Sequence, residues 1–109
     1  MWYGKIDGLI NKLDGEAGVL VKNLKTGETY KYNENKVFPS ASLIKVPILL
    51  ELIDKSYEKK INLNEAVTFK REDIVQGYGI IKNLNPGVNL TYMDCAFLMI
   101  TLSDNVATN

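Results

Sequence analysis

The sequence predicts an α+β chain. Three observations carry that expectation: apolar residues at helical spacing over 2–13, a hairpin pattern between residues 18 and 32, and apolar helical stretches opening near Ser42 and Leu90. The length of 109 residues fits one domain with a modest core.

Taken in order, Trp2, Ile6, Leu9, Ile10 and Leu13 share one helical face, and Asp14-Gly15 ends that helix. Gly18-Val19-Leu20-Val21 reads as a strand and Glu28-Thr29-Tyr30-Lys31-Tyr32 as its partner, with Lys25-Thr26-Gly27 as the turn. Asn33 to Pro39 is a loop. Ser40 and Ser42 are cap candidates for a helix running to about Tyr57, whose end gathers Lys55, Lys59 and Lys60 as the helix dipole favours. Residues 61–70 connect, with an extended piece at Ala66-Val67-Thr68-Phe69. Gln76 to Asn89, with three Gly and three Asn, reads mostly as loop, and Leu90 to Leu102 as a second apolar helix capped by Thr91.

Composition narrows the chemistry. Thirteen Lys+Arg balance thirteen Asp+Glu, so no basic face for nucleic acid is expected. Arg71 is the sole arginine, which weakens any case for bidentate phosphate recognition. With no His, a Ser-His-Asp triad and His-bearing zinc sites are excluded. One Cys forms no internal disulfide and no Cys-rich metal cluster; Cys95, inside an apolar helix, is expected to pack as a small hydrophobe. No metal or organic cofactor is implied. Carboxylate, Lys, Ser, Tyr or backbone chemistry remains, or none.

The helix at Ser42 is the informative element. Leu43-Ile44-Lys45-Val46-Pro47-Ile48-Leu49-Leu50 is apolar nearly all round, which predicts a buried helix. Lys45 has no polar face to emerge from, and burial disfavours a lysine's charged form. Ser42 lies three residues earlier on the same face, the arrangement of a nucleophile and its base. At a helix N-terminus its backbone N–H would also favour a developing oxyanion. Pro47 is tolerable only near a helix start, in agreement with a start at Ser42. The plain alternative is that Ser42 caps the helix while Lys45 carries its ammonium out to water. Spacing alone does not decide, since Ser56-Tyr57-Glu58-Lys59 repeats the S-x-x-K pattern at what reads as a polar helix end. Ser103-Asp104-Asn105 follows the second apolar helix and, alone, reads as a junction whose Ser or Asp caps a new helix at Val106.

Together, S-x-x-K followed by S-D-N is the pattern of penicillin-recognising serine enzymes. The chain resembles the N-terminal part of a class A β-lactamase or a related serine β-lactamase-like hydrolase. The matching stretches are Phe38 to Val46, Gly77-Tyr78-Gly79-Ile80-Ile81 and Met99 to Asn109, with the hairpin before them. The resemblance implies a β-lactamase/transpeptidase-like fold and assigns roles residue by residue. Ser42 resembles the acylated nucleophile, Lys45 the lysine that helps activate it, and Ser103 the hydroxyl that passes a proton to the leaving nitrogen. Asn105 resembles the amide that binds the substrate's acylamino group and orients Lys45. Tyr78 resembles the aromatic wall at the cleft mouth, or else packs locally. Asp104 matches by position and reads as a structural cap, and Asn109 resembles the asparagine that holds the loop of the deacylating glutamate.

The chain ends at Asn109, well under half the usual family length, before the glutamate loop and the K-T-G strand. Lys25-Thr26-Gly27 precedes the nucleophile and sits in a hairpin turn, so it is not that strand. The expectation is therefore the N-terminal portion of a β-lactamase-like catalytic domain, inactive or limited to acylation by itself. An exposed hairpin edge and an incompletely covered helix would favour self-association, domain swapping or a complementing C-terminal half. The expected partner is a small-molecule β-lactam or a peptidoglycan-like substrate. Alternatives are a penicillin-binding D-Ala-D-Ala peptidase-like enzyme and a non-catalytic scaffold that binds peptide or a partner domain. The family works mostly outside the cytoplasm, yet no signal peptide is visible at Met1-Trp2-Tyr3-Gly4-Lys5. The apolar run Leu43 to Ile53 is too short to span a bilayer.

Overall fold

The computed structural model describes residues 3–109, which fall into two compact units, the first running to Pro39 and the second Ser40–Asn109. In the first, helix α1 spans Gly4–Ile10, shorter than the predicted 2–13. Trp2 lies outside the described residues. At the other end the amides of Lys12 and Leu13 reach only three residues back, to Leu9 and Ile10, so the last turn is not α-helical. Leu9 and Leu13 are exposed, and no packing prolongs the helix. Strands β1 (Val19–Lys22) and β2 (Thr29–Tyr32) pair antiparallel, Val19 opposite Tyr32 and Lys22 opposite Thr29. The Asn23 side chain accepts from the amides of Lys25 and Thr26, making Lys25-Thr26-Gly27 the turn that the sequence predicts. Tyr30 is buried, stacks on Tyr3 with ring centroids 5.8 Å apart, and donates its hydroxyl to Asp7 Oδ1 at 2.6 Å. That bond, aided by burial, pushes the Tyr30 phenol up to about 12.

In the second unit a 3-10 turn over Ala41–Ile44 leads into α2 (Lys45–Tyr57). The α-helix thus starts three residues after Ser42, and Pro47 still falls in its first turn, where a missing N–H costs nothing. Ser40 makes no side-chain cap bond. Strand β3 (Ala66–Thr68) pairs antiparallel with β4 (Asn89–Thr91), a second two-stranded sheet. Leu90 and Thr91 therefore belong to a strand, and α3 spans Tyr92–Thr101 rather than starting at Leu90. Thr91 is its cap, as predicted: its hydroxyl accepts from the Asp94 amide at 3.1 Å and donates to Asp94 Oδ2 at 2.7 Å. A short α4 follows at Asn105–Thr108.

The core of this unit gathers Phe69, Ile81, Cys95 and Val106, with Val67, Leu90 and Leu98 packed against it. It sits between the β3–β4 ribbon, α3 and α4. Burial pushes the Cys95 thiol up, and the charges of Asp94 and Asp104 add to the effect. The predicted burial of α2 needs correction. Lys45 is its one buried residue, whereas Val46 and Leu50, and Leu43 in the turn before it, are more than half exposed. Ile48, Leu49, Leu52 and Ile53 are half-buried, so one face of α2 packs, while nothing among the described residues covers the stripe of Val46 and Leu50. No helix among the described residues is long and apolar enough to cross a membrane.

Candidate active site

Two segments far apart in sequence make the site. The first is the turn before α2, which presents Ser42 on an exposed surface, while the first residue of α2, Lys45, points inward and is only 5% exposed. The second is the junction between α3 and α4, with Ser103, Asp104 and Asn105 in succession.

Ser42 Oγ lies 2.8 Å from Ser103 Oγ, and either hydroxyl can donate. Ser42 is not the cap of α2: that position falls to Ile44, and the Ser42 oxygen bonds across the site instead. Lys45 Nζ donates to the Ser103 carbonyl at 2.7 Å and to Asn105 Oδ1 at 2.9 Å. It also lies 2.8 Å from Ser103 Oγ and 3.5 Å from Ser42 Oγ. A carbonyl and an amide oxygen only accept, so two N–H donors of Lys45 are committed to them. The remaining valence faces two hydroxyls, which both donate and accept. An ammonium donates there, and an amine receives a hydroxyl proton there, without any change in the other contacts. The arrangement can therefore move a proton among Ser42, Ser103 and Lys45. Lys45 is buried with its polar end satisfied, rather than snorkelling to water.

Strained backbone sits on both sides of this contact. Ala41, immediately before Ser42, has φ 45°, and Ser103 itself has φ 53°. For residues with a side chain, such angles cost of order 1–3 kcal/mol and persist only where the surroundings enforce them.

Asp104 is fully buried and serves as the cap of α4, but it also does more. Its Oδ1 accepts from the amides of Val106 and Ala107, and its Oδ2 from those of Ile80 and Ile81 at 2.7 and 3.0 Å. Burial works to raise this carboxyl, but the amides of Ile81, Ala107, Ile80 and Val106 outweigh it and hold the group below its ordinary value. Gly79 meets this carboxylate so closely that a Cβ there would overlap it. Asn105 clasps the same loop from its other end: its amide N–H donates to the Tyr78 carbonyl at 2.9 Å and its Nδ2 to the Gln76 carbonyl at 3.2 Å.

A cleft of about 540 Å³ opens beside the Ser42–Lys45 pair. Ala41, Ser42, Tyr78, Asn105 and Asn109 are among its lining residues. Tyr78 is 78% exposed at the edge, in contact with the cleft rather than packed locally. Asn109 is anchored by its backbone amide to the carbonyls of Asn105 and Val106. The second S-x-x-K copy lies elsewhere: the Lys59 amide turns back onto the Ser56 carbonyl at 3.0 Å, ending α2. The residues to which sequence reasoning gave no role are Gln76 and Gly77, whose carbonyls accept from Asn105 Nδ2 and Lys82 Nζ, and Ala41, which lines the cleft. Among the described residues no cluster of His, Cys, Asp and Glu fit to hold a metal ion occurs.

Comparison with known proteins gives this arrangement relatives. A family model described as the Beta-lactamase enzyme family matches residues 3–109. β-Lactamase PSE-4 of Pseudomonas aeruginosa is 33% identical over 97 residues, covering 89% of this chain and 33% of that protein. The crystal structure of a β-lactamase from Sphaerobacter thermophilus superposes with a TM-score of 0.88 at 26% identity, over 98% of this chain and 41% of that one. A PBP-A mutant solved as an acyl-enzyme complex with penicillin G gives a TM-score of 0.86 at 32% identity, over 96% and 40%. The chain thus spans about a third of the length of the curated relatives it matches. With the family model matching nearly every residue and the fold shared with solved β-lactamases, the chain belongs to the β-lactamase enzyme family.

Proposed function

We propose that this chain carries the acylating centre of a serine hydrolase that opens β-lactam rings through an ester on Ser42. The observation that supports this most is the convergence of Ser42, Ser103 and Asn105 on the buried amine of Lys45. In this reading Ser42 Oγ attacks the lactam carbonyl carbon, and its proton passes to Lys45 Nζ directly or through Ser103 Oγ. The carbonyl oxygen becomes an oxyanion beside the Ser42 backbone N–H. The C–N bond then breaks, its electron pair stays on nitrogen, and that nitrogen takes a proton from Ser103 Oγ, which Lys45 replenishes. Asn105 orients Lys45 and meets the substrate's acylamino group, while Tyr78 walls the cleft. Asp104 acts through structure alone, and Asn109 holds a following loop. Residues 1–109 form the N-terminal portion of the catalytic domain.

A second reading, a penicillin-binding D-Ala-D-Ala peptidase-like enzyme, draws on the likeness to PBP-A, whose mutant was captured as an acyl-enzyme with penicillin G. The two readings share acylation and part at deacylation. Intact-mass analysis after incubation with penicillin G, followed by peptide mapping, tests their common step. An adduct on Ser42 that disappears in Lys45→Ala is the expected result, and undiminished acylation of Lys45→Ala would refute the role given to the lysine. The lifetime of the adduct then separates a hydrolase from a slow-releasing peptidase.

A further inference from the structure

We infer that Gly77 is a positioning residue for this centre, acting through the side-chain amide of Asn105. The inference rests on the acylation reading above for its kinetic consequence, though not for its geometry. Gly77 has φ 116°, a conformation that side-chain-bearing residues rarely adopt. A Cβ built there would overlap Nδ2 of Asn105 and come within 3.3 Å of its Cγ. The space a side chain at 77 would need is thus taken by the NH₂ end of the amide whose oxygen meets Lys45.

The amide is rigid and planar, with both ends in use. Nδ2 donates to the Gln76 carbonyl at 3.2 Å and Oδ1 accepts from Lys45 Nζ at 2.9 Å. Three successive carbonyls of the loop are fixed in turn: Gln76 by Asn105 Nδ2, Gly77 by Lys82 Nζ and Tyr78 by the Asn105 amide N–H. With both neighbouring carbonyls anchored, the loop does not yield easily to a methyl group at 77. The Asn105 side chain moves instead, and because its plane is rigid, displacement of Nδ2 swings Oδ1 off Lys45. Gly77 therefore sets where one of the lysine's two committed acceptors stands without touching Lys45 or substrate.

The test uses the full 109-residue chain and the Lys45 side-chain nitrogen resonance in NMR, with Asn105→Ala as the reference for an absent acceptor. Gly77→Ala is expected to move that resonance toward its position in Asn105→Ala. Gly87→Ala is the control, since Gly87 also has a positive φ, 96°, but open space where a Cβ would stand. It carries comparable backbone strain and should leave Lys45 unmoved. A Lys45 resonance unchanged in Gly77→Ala overturns the inference. If Gly77→Ala does not fold, the double variant Gly77→Ala/Asn105→Ala decides. Recovery of folding supports an obstacle at the amide, and continued unfolding overturns it. With penicillin G as probe, Gly77→Ala should slow Ser42 acylation about tenfold or more, the size expected from losing one hydrogen bond to a charged group. The double variant should then be no slower than Asn105→Ala, and independent, additive losses would overturn the coupling. Should the wild-type chain take no adduct at all, the acylation reading fails, while the Lys45 resonance still decides the role of Gly77.

Discussion

Replacing Asp104 by Asn keeps size and shape while removing charge and one acceptor. The carboxylate accepts four backbone N–H bonds, two on each oxygen, from a fully buried position. An amide retains a single oxygen, so two of the four bonds are lost whichever way it is turned. Its NH₂ group then points at two N–H donors that have no other partner. At about 1.5–3 kcal/mol for each hydrogen bond to a charged group, the loss comes to about 3–6 kcal/mol. Against the roughly 5–15 kcal/mol that stabilises a domain, that is a large fraction. Urea unfolding followed by circular dichroism gives the total, and amide hydrogen exchange shows where it arises. Loss of protection at Ile80 and Ile81, or at Val106 and Ala107, identifies the orphaned pair. A loss below about 1 kcal/mol with all four amides still protected would refute the reasoning. The same bonds set a pH dependence. Because the folded value is depressed, the stabilisation is complete above the ordinary carboxyl value of 3.8 and disappears as pH falls through the lower folded one.

Four further outcomes follow from the geometry. The Tyr30 phenol is raised to about 12, so its contribution to holding α1 on the hairpin is complete below pH about 10 and lost as pH rises through about 12; Asp7→Asn should bring the phenolate absorbance transition of Tyr30 down, and an unmoved transition would count against the bond. Thr91→Ala removes both bonds of the hydroxyl at the start of α3, leaves the bond from the backbone N–H of residue 91 to Asp94 Oδ2, and should cost about 1 kcal/mol in urea unfolding, with no change expected in the β3–β4 pairing. Cys95, buried and raised by that burial, should react with iodoacetamide far more slowly in the folded chain than in urea; equal rates would show that the core around it is open. Ala41→Gly relieves the strain at φ 45° and should stabilise the chain in urea while slowing Ser42 acylation, since the freed turn no longer fixes the nucleophile; faster acylation would contradict a positioning role for that strain.

Much of this architecture is legible in the residues, for identifiable reasons. The hairpin announces itself through alternation and an Asn-x-x-x-Gly turn, and the α3 cap through Thr91 followed three residues later by Asp94. Lys45 stands out because an isolated cation in an apolar run needs an explanation, and the structure supplies acceptors for it. Strand β4 is hidden, because Leu90 and Thr91 continue the apolar pattern of the helix after them and their pairing to Ala66 and Val67 is a tertiary fact. The exposure of α2 is equally invisible, since composition records what a helix wants to bury and not what is present to bury it. The left-handed angles at Ala41 and Ser103 carry no signal, as neither residue type is chosen for such a conformation. Gly77 and Gln76 are missed because their contribution lies in space and in a carbonyl, neither of which residue identity encodes.

The contact between the hydroxyls of Ser42 and Ser103 closes a loop of 61 residues. Closing a chain segment of that length costs about 4 kcal/mol in entropy, more than the contact itself returns. It can therefore form only after the intervening ribbon and helices have drawn the two ends together. Along a folding trajectory the reactive centre belongs among the last parts to assemble and, on unfolding, among the first to come apart. Any reagent that recognises the assembled pair thus counts completed molecules, and under the proposed acylation of Ser42 the rate at which adduct formation returns after dilution from denaturant is a clock for the final step of folding.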